Sequence, residues 1–267
     1  MLNKIIAIAN QNGGVGKTTT TMNLGAALQE SGFKILLVDL DPQATLTIAH
    51  GFNPDDVSLT IYDALRKGNE DMSNFDIKQA VVHSQNGVDI MPANLDLAAA
   101  EVELHTELGR EYFVKNALSE LKTVYDIILI DCAPTLGHLT INALTAAEGV
   151  IIPVTTQYLR FRGLKLLLET IKKVKTRNLN PTLPPPRILP SMFQANTIHS
   201  KEVLDELRDT FGTQVFQTVV RHTIRLAEAP ISGQSILQYQ PGSPYAQAYR
   251  ELAQEVKEWL QNQIDNR

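Results

Sequence analysis

The chain of 267 residues carries 24 Lys+Arg against 29 Asp+Glu, a net charge of −5, with 43% hydrophobic residues and one cysteine. That length and balance suffice for a sizeable α/β core and exclude a disordered chain, a fibre or a disulfide scaffold. A lone Cys132 cannot make a tetrahedral zinc or iron–sulfur site within the chain, and no apolar run reaches the roughly eighteen residues of a membrane span, so a cytoplasmic protein is expected and the net charge by itself argues against nucleic acid.

In chain order, short apolar, β-branched runs predict strands over Lys4 to Asn10, Lys34 to Asp39, Val88 to Met91, Tyr125 to Asp131, Gly149 to Thr155, Arg187 to Phe193 and Val215 to Val220. Helix-period runs separate them: Lys17 to Ser31, closed by Gly32, then Leu95 to Leu104, Glu111 to Lys122, Leu139 to Ala147, Gly163 to Lys175, Ser200 to Phe211 and Ala246 to Ile264. KILLVD and DIILID are apolar almost throughout, as parallel strands covered on both faces are. The alternation implies right-handed crossovers and an α/β fold: a doubly wound, mostly parallel sheet with helices on both faces. Five prolines between Asn178 and Pro190 look like a linker, but the alternation continues past them. They read as a stiff loop inside a single domain, residues 1–267.

Between the first strand and the first helix stands QNGGVGKTTTT, residues 11–21. Gly13, Gly14 and Gly16 lack a Cβ, so the backbone can close around an anion, and the helix N-terminus adds unpaired N–H groups and a positive dipole end. In such a loop Lys17 lies along the β- and γ-phosphates and Thr18 offers its hydroxyl to Mg²⁺. The generic phosphate-loop pattern has glycine where this chain has Gln11. A glycine-rich turn without a ligand is the alternative, and the strand-to-helix context speaks against it.

Two later strands end in carboxylates. KILLVDLDP places Asp39 and Asp41 at the end of the second strand, and YDIILIDCAP reaches Asp131 after four hydrophobic residues, a Walker B pattern whose carboxylate holds Mg²⁺ directly or through water. In an open parallel sheet these ends adjoin the phosphate loop. Asp39 or Asp41 is placed to orient an attacking water, although each taken singly also suits a cap or an Asp-Pro turn.

The phosphate loop, VDLDPQ at 38–43, IDCAPTLG at 130–137 and RLAEAPISG at 225–233 together resemble the ParA/Soj family of deviant Walker A ATPases, relatives of MinD, nearly end to end. The resemblance implies a P-loop ATPase that binds ATP and Mg²⁺, forms a nucleotide-sandwich homodimer and binds DNA without sequence preference. A ParB-like or cargo-adaptor protein would stimulate its hydrolysis, and it would move or space chromosomes, plasmids or large protein cargo. Carried over by position, Asn12, Gly13, Gly14, Val15, Gly16, Lys17, Thr18 and Thr19 contact the nucleotide, and Met192 and the segment around Pro241 match adenine-side loops. Lys17 and Asp41 take the catalytic roles, Asp41 positioning water. Thr18, Asp39 and Asp131 belong to the metal, and Pro134 with its neighbours to the switch that senses the γ-phosphate.

The family has a signature lysine where this chain has Asn12. In the family that charge reaches the partner's phosphates much as an arginine finger does, and such a finger is worth ~10³ to 10⁵ in rate. An engineered substitution, a natural variant of weak activity, or a natural variant using another cation would each account for Asn12. Arg160, Arg162 or Lys165, after the strand that ends near Thr155, could be that cation. Smaller departures are Ala133 for a frequent Pro and Thr45 for a frequent Asn.

Residues 160–177 hold seven Lys/Arg and one acid, a local +6 that leaves −11 for the rest of the chain. Lys172, Lys173, Lys175 and Arg177 at a helix C-terminus suit either a solvated face favoured by the helix dipole or phosphate binding, and the resemblance favours DNA. Arg225 matches an arginine linked to DNA binding in the family, with Arg221 nearby in sequence. The last helix has apolar residues Tyr249, Leu252, Val256, Trp259 and Leu260 at helical spacing, which points to docking on the core rather than to a membrane. Six histidines show no metal-ligand spacing. The expected protein is a cytoplasmic, nucleoid-associated ATPase switch. The rivals are a nucleotide switch with little hydrolysis, a MinD-like membrane-associated ATPase, and a metabolic ligase or iron–sulfur reductase of related fold. The single cysteine speaks against the reductase and RLAEAP against the ligase. The start of the phosphate loop about ten residues into the chain leaves no room for a preceding DNA-binding extension.

Overall fold

The computed structural model describes residues 2–66, 75–84, 87–156 and 161–265, the side chains of 161, 162, 264 and 265 excepted. Strands β1 (Lys4–Ile8), β2 (Ile35–Leu40), β3 (Asp89–Met91), β4 (Ile127–Cys132), β5 (Gly149–Thr155) and β6 (Arg187–Ser191) form a six-stranded sheet in the order β3-β2-β4-β1-β5-β6. Every pairing is parallel. Successive residues of a strand point to opposite faces, so near-continuous apolar strands feed two cores at once. Ile5, Ala7, Leu36, Val38, Ile128 and Ile130 face one core. It is closed by α3 (Ile61–Arg66), α4 (Leu97–Glu103), α5 (Phe113–Leu118), α6 (His138–Ala146), α7 (Phe161–Thr176) and α8 (Ile198–Phe211). Ile6, Ile8, Ile35, Leu37, Ile127 and Leu129 face the other, under α1 (Lys17–Glu30), α2 (Thr45–Ala49), α10 (Ile236–Tyr239) and α11 (Pro244–Asp265).

The neighbouring strands β1 and β4 are followed by helices on opposite faces, α1 on one and α6 on the other. Their loops therefore diverge, opening a crevice at the carboxyl ends of the strands. The first loop carries the glycines and the second follows Asp131. Apolar Tyr249, Leu252, Val256, Trp259 and Leu260 of α11 are all buried against this sheet, the docking expected from their spacing.

Three sequence expectations change. Val215 to Val220 is not a strand but touches β6 through one isolated bridge, Val215 to Ile188, because Gln217 and Thr218 donate their N–H groups to the Glu255 carboxylate of α11 at 2.8 and 2.7 Å. The run 111–122 breaks into short turns of helix around α5. Asn142 of α6 bonds both ends of that break, accepting from Val114 N at 3.2 Å and donating to Arg110 O at 2.7 Å. The short helices α2, α3, α10 and α9 (Arg225–Glu228) were not expected, since four to six residues give too little periodicity to read.

Gly149 begins β5 directly over the indole of Trp259, where an added Cβ would stand 2.5 Å from a ring carbon. The ring packs in the core with Phe216 edge-on at 6.3 Å, so an added methyl must displace a large side chain. Gly149→Ala is expected to cost ~1–3 kcal/mol of stability in chemical denaturation while leaving nucleotide affinity unchanged, since it lies at the amino edge of the sheet.

Candidate nucleotide site

The phosphate loop is held from three sides. Gly14 and Gly16 have φ of 66° and 89°, conformations that side chains resist, and they turn the chain from β1 into α1. Asn10 donates to Pro153 O of β5 at 2.8 Å and accepts from Asn12 N at 3.0 Å. Ser191 at the end of β6 donates to Val15 O at 2.8 Å. Neither Asn10 nor Ser191 carries a sequence signal, because both act on residues far along the chain.

Lys17 opens α1 with its side chain buried and Nζ donating to Asn12 O at 3.2 Å, so the ammonium folds back over the loop. Burial lowers its pKa, opposed by the negative charge of Asp131 and then of Asp41. Thr18 Oγ1 donates to Asp131 Oδ2 at 2.6 Å, and Thr21 reaches Oδ1 at 3.4 Å. Asp39 stands beside Asp131 on the adjoining strand, in direct register. A hydroxyl and two carboxylates, all oxygen donors converging near a lysine, form the donor set that suits Mg²⁺, and Thr18 with Asp131 would hold it.

Asp39 has a second occupation. Its carboxylate accepts from Thr47 N at 2.8 Å, Thr47 Oγ1 at 2.7 Å and Asp41 N at 3.2 Å. It thus fixes α2 and the DPQ turn to the sheet, a structural task beside the metal role expected for it. Asp41 is half-buried on that turn and accepts from Gln43 N at 2.9 Å, so one oxygen is spent on the turn. Cys132 is buried, and burial first, then Asp131, push its thiol up. It stays protonated and inert.

Burial and then the neighbouring Asp39 push the Asp131 carboxyl up to about 8, against the Thr18 hydrogen bond and the charge of Lys17. Asp39 is pushed up to about 6, chiefly by burial. Both exceed the ~3.9 of an unfolded aspartate, so the folded chain binds more protons than the unfolded one. Without nucleotide and Mg²⁺, these two carboxyls are therefore expected to contribute stability that is full below pH ~4 and is lost as pH rises through about 6 and about 8, the two folded values. Melting curves of the wild type and Asp131→Asn across this window check it; the variant should lose the upper part of the slope.

Beside the loop lies a cleft of about 160 Å³ lined by Gly16, Thr19, Thr20, Met192, Arg221 and His222 among others. It continues the phosphate loop and has the lining a nucleoside needs, apolar walls with a few polar groups. Met192 is among its lining residues. Pro241 is not among its lining residues; it is exposed, and its carbonyl accepts from Arg250 at 2.8 Å. Arg221, expected on a DNA surface, is exposed and also lines this cleft, where Phe193 and Arg221 pair in a parallel bridge beyond β6.

The remaining basic residues divide. The amide of Asn12 packs on Gly163, where an added Cβ would lie 2.7 Å from it, so α7 starts at the phosphate loop. At ~1.5 Å per residue, Lys172 to Arg177 then lie ~14 to 21 Å away. Asn180, just beyond, donates to Leu144 O and Ala147 O at 3.0 and 2.6 Å, ahead of β5, which puts this cluster at the amino edge of the sheet. Arg225 is at the opposite edge, exposed and paired with Glu228 at 2.7 Å. The expected DNA-binding residues thus form two separate groups. Arg160 lies outside the described residues, as does the side chain of Arg162; Lys165 is exposed on the first turns of α7.

Residues 3–184 match a family described as an AAA domain. The chain is 44% identical to the sporulation initiation inhibitor protein Soj of Bacillus subtilis over 255 residues, 96% of this chain and 98% of that protein. It is 41% identical to the chromosome-partitioning ATPase Soj of Thermus thermophilus over 251 residues, 94% of each. Among solved structures it resembles one described as cobyrinic acid a,c-diamide synthase from Mycobacterium smegmatis with bound ADP and magnesium, with a TM-score of 0.82, 37% identity, and 96% of this chain covering 95% of that one.

Proposed function

The chain belongs to the ParA/Soj family of P-loop ATPases, and we propose that it is an ATP-dependent dimerising switch that binds DNA without regard to sequence and positions a chromosome, plasmid or large protein cargo. Its nucleotide is ATP with Mg²⁺. The observation that carries this reading is the Thr18–Asp131 hydrogen bond of 2.6 Å under a buried Lys17, which joins the first helix of the phosphate loop to the Walker B strand. Lys17 would stabilise the charge on the transferred phosphoryl group, and Asp41, on its turn above β2, would orient the water. Asn12 brings no charge across a dimer interface, so hydrolysis would be slow and would rise on contact with a ParB-like or adaptor partner. Acting on DNA, the protein would reside on the nucleoid.

Light scattering with ATP, with ADP and without nucleotide tests the dimer, which only ATP should support. Fluorescence anisotropy with random-sequence duplexes tests DNA. Binding should need ATP and weaken steeply with salt, and Lys172→Glu with Lys173→Glu should lower affinity at least ~10-fold, because each lost phosphate contact also flattens the salt dependence. Equal affinity with and without ATP would defeat the reading. The absent charge at position 12 favours a second reading, a switch that barely hydrolyses and is reset by nucleotide exchange. Steady-state ATPase with DNA and partner separates the two. A small-molecule synthase, the name carried by the M. smegmatis structure, is the rival of another class, and ATP turnover indifferent to DNA would favour it.

A further inference from the structure

The six histidines have no metal-ligand spacing in the sequence, yet the fold brings two of them together. His105 lies in a single helical turn, Leu104–Thr106, that continues α4, and His138 is the first residue of α6. Their ring nitrogens, Nδ1 of His105 and Nε2 of His138, are 3.2 Å apart, with ring centroids at 5.4 Å and planes at 54°. One neutral ring can donate a hydrogen bond to the other. The same separation also suits chelation: two nitrogens ~2.05 Å from one ion and 3.2 Å apart subtend ~100° at it, close to the tetrahedral angle.

The surroundings keep this pair in place. Glu101 of α4 accepts from His138 N at 3.0 Å and from Leu139 N at 3.1 Å, so the start of α6 is tied to α4 independently of the imidazoles. The His105 carbonyl accepts from the guanidinium of Arg110. His105 is exposed and His138 half-buried, which leaves an ion open to water. The Glu101 carboxylate, bonded to the His138 N–H, lies beside the pair, as does the Arg110 guanidinium. Imidazole nitrogen selects zinc, copper or nickel over magnesium, so this ion would be distinct from the one at Thr18 and Asp131.

We propose that His105 and His138 form a two-imidazole site for a divalent transition ion of the zinc class, bridging α4 to the start of α6. Among the described residues no group of three His, Cys, Asp or Glu side chains is placed to hold an ion, so water completes the coordination and the site is exchangeable. Its position gives it a consequence. His138 follows the segment 133–137 that leaves Asp131, so an ion here clamps the far end of the loop that borders the phosphate site.

Equilibrium dialysis of the full chain against zinc chloride, without nucleotide, tests the site independently of any ATPase reading. The wild type should bind about one zinc per chain and melt at a higher temperature with zinc present. His105→Ala and His138→Ala should each weaken binding at least ~10-fold, since losing a ligand costs no less than losing an outer-shell partner. Both variants should melt like the wild type in chelator, because the Glu101 bonds use the backbone of α6. Cobalt in place of zinc should give an absorption spectrum that either variant abolishes. Zinc bound equally by the wild type and both variants, or not at all by the wild type, would overturn the proposal.

Discussion

Replacing Lys17 with alanine is expected to reduce ATP turnover by at least ~10² to 10³-fold, the range that follows loss of one well-placed electrostatic donor from a buried site. The loss should be this large because Lys17 is 7% exposed, and its Nζ is already bent over the loop by the carbonyl of Asn12. Little reorganisation is left for the moment when negative charge shifts on the phosphates. Lys17 is also the cation that favours the ionised form of Asp131, so its removal should push that carboxyl higher still and weaken Mg²⁺ binding. The fold should survive, since Asp131 keeps its bonds to Thr18 and Thr21. Titration with a fluorescent ATP analogue, with and without magnesium, separates the two losses. Turnover within a few-fold of the wild type would mean that the loop does not hold the nucleotide as proposed.

The second large effect runs the other way. Asn12→Lys is expected to raise partner-stimulated hydrolysis, by as much as ~10³-fold if the added charge reaches the partner's phosphates. The Asn12 amide lies against Gly163 at the start of α7, a position so close that a Cβ there would stand 2.7 Å from it. A lysine cannot fit its longer stem into that contact and must extend outward from the loop, toward the proposed dimer partner. Asn12→Gln serves as the control, longer but neutral, and should leave the rate unchanged. Parallel measurement of dimer formation distinguishes a faster chemical step from a tighter dimer. If lysine and glutamine behave alike, charge at this position is not what limits hydrolysis, and the basic start of α7 becomes the place to look.

Several features were legible because they are local. The phosphate loop is a continuous string whose glycines, lysine and threonine each have an expected task, and the structure places it between β1 and α1 as the string requires. Asp131 ends an apolar run, and α11 buries the residues its periodicity marked. The basic residues show where this stops working. Arg221 and Arg225 are four apart in sequence, yet Arg221 lines the cleft beside the phosphate loop while Arg225 is in a surface pair with Glu228. Lys172 to Arg177 are at the opposite edge of the sheet, a separation that charge counting along the chain cannot express.

The sequence by itself determined the class of sheet, from the alternation of its runs, the family, from four separate motifs, and the phosphate loop, because each depends only on the order and spacing of residues along the chain. Only the tertiary structure decided how those units meet. Asn10 and Ser191 brace the loop from β5 and β6, Asp39 is shared between the site and Thr47, and Glu255 draws Gln217 and Thr218 away from the sheet. His105 and His138, separated by 33 positions, become a pair 3.2 Å apart. The physical reason is common to all of them: a hydrogen bond or ion contact acts over about 3 Å of space whatever the length of chain between its partners, and packing the two cores is what brings those partners within reach.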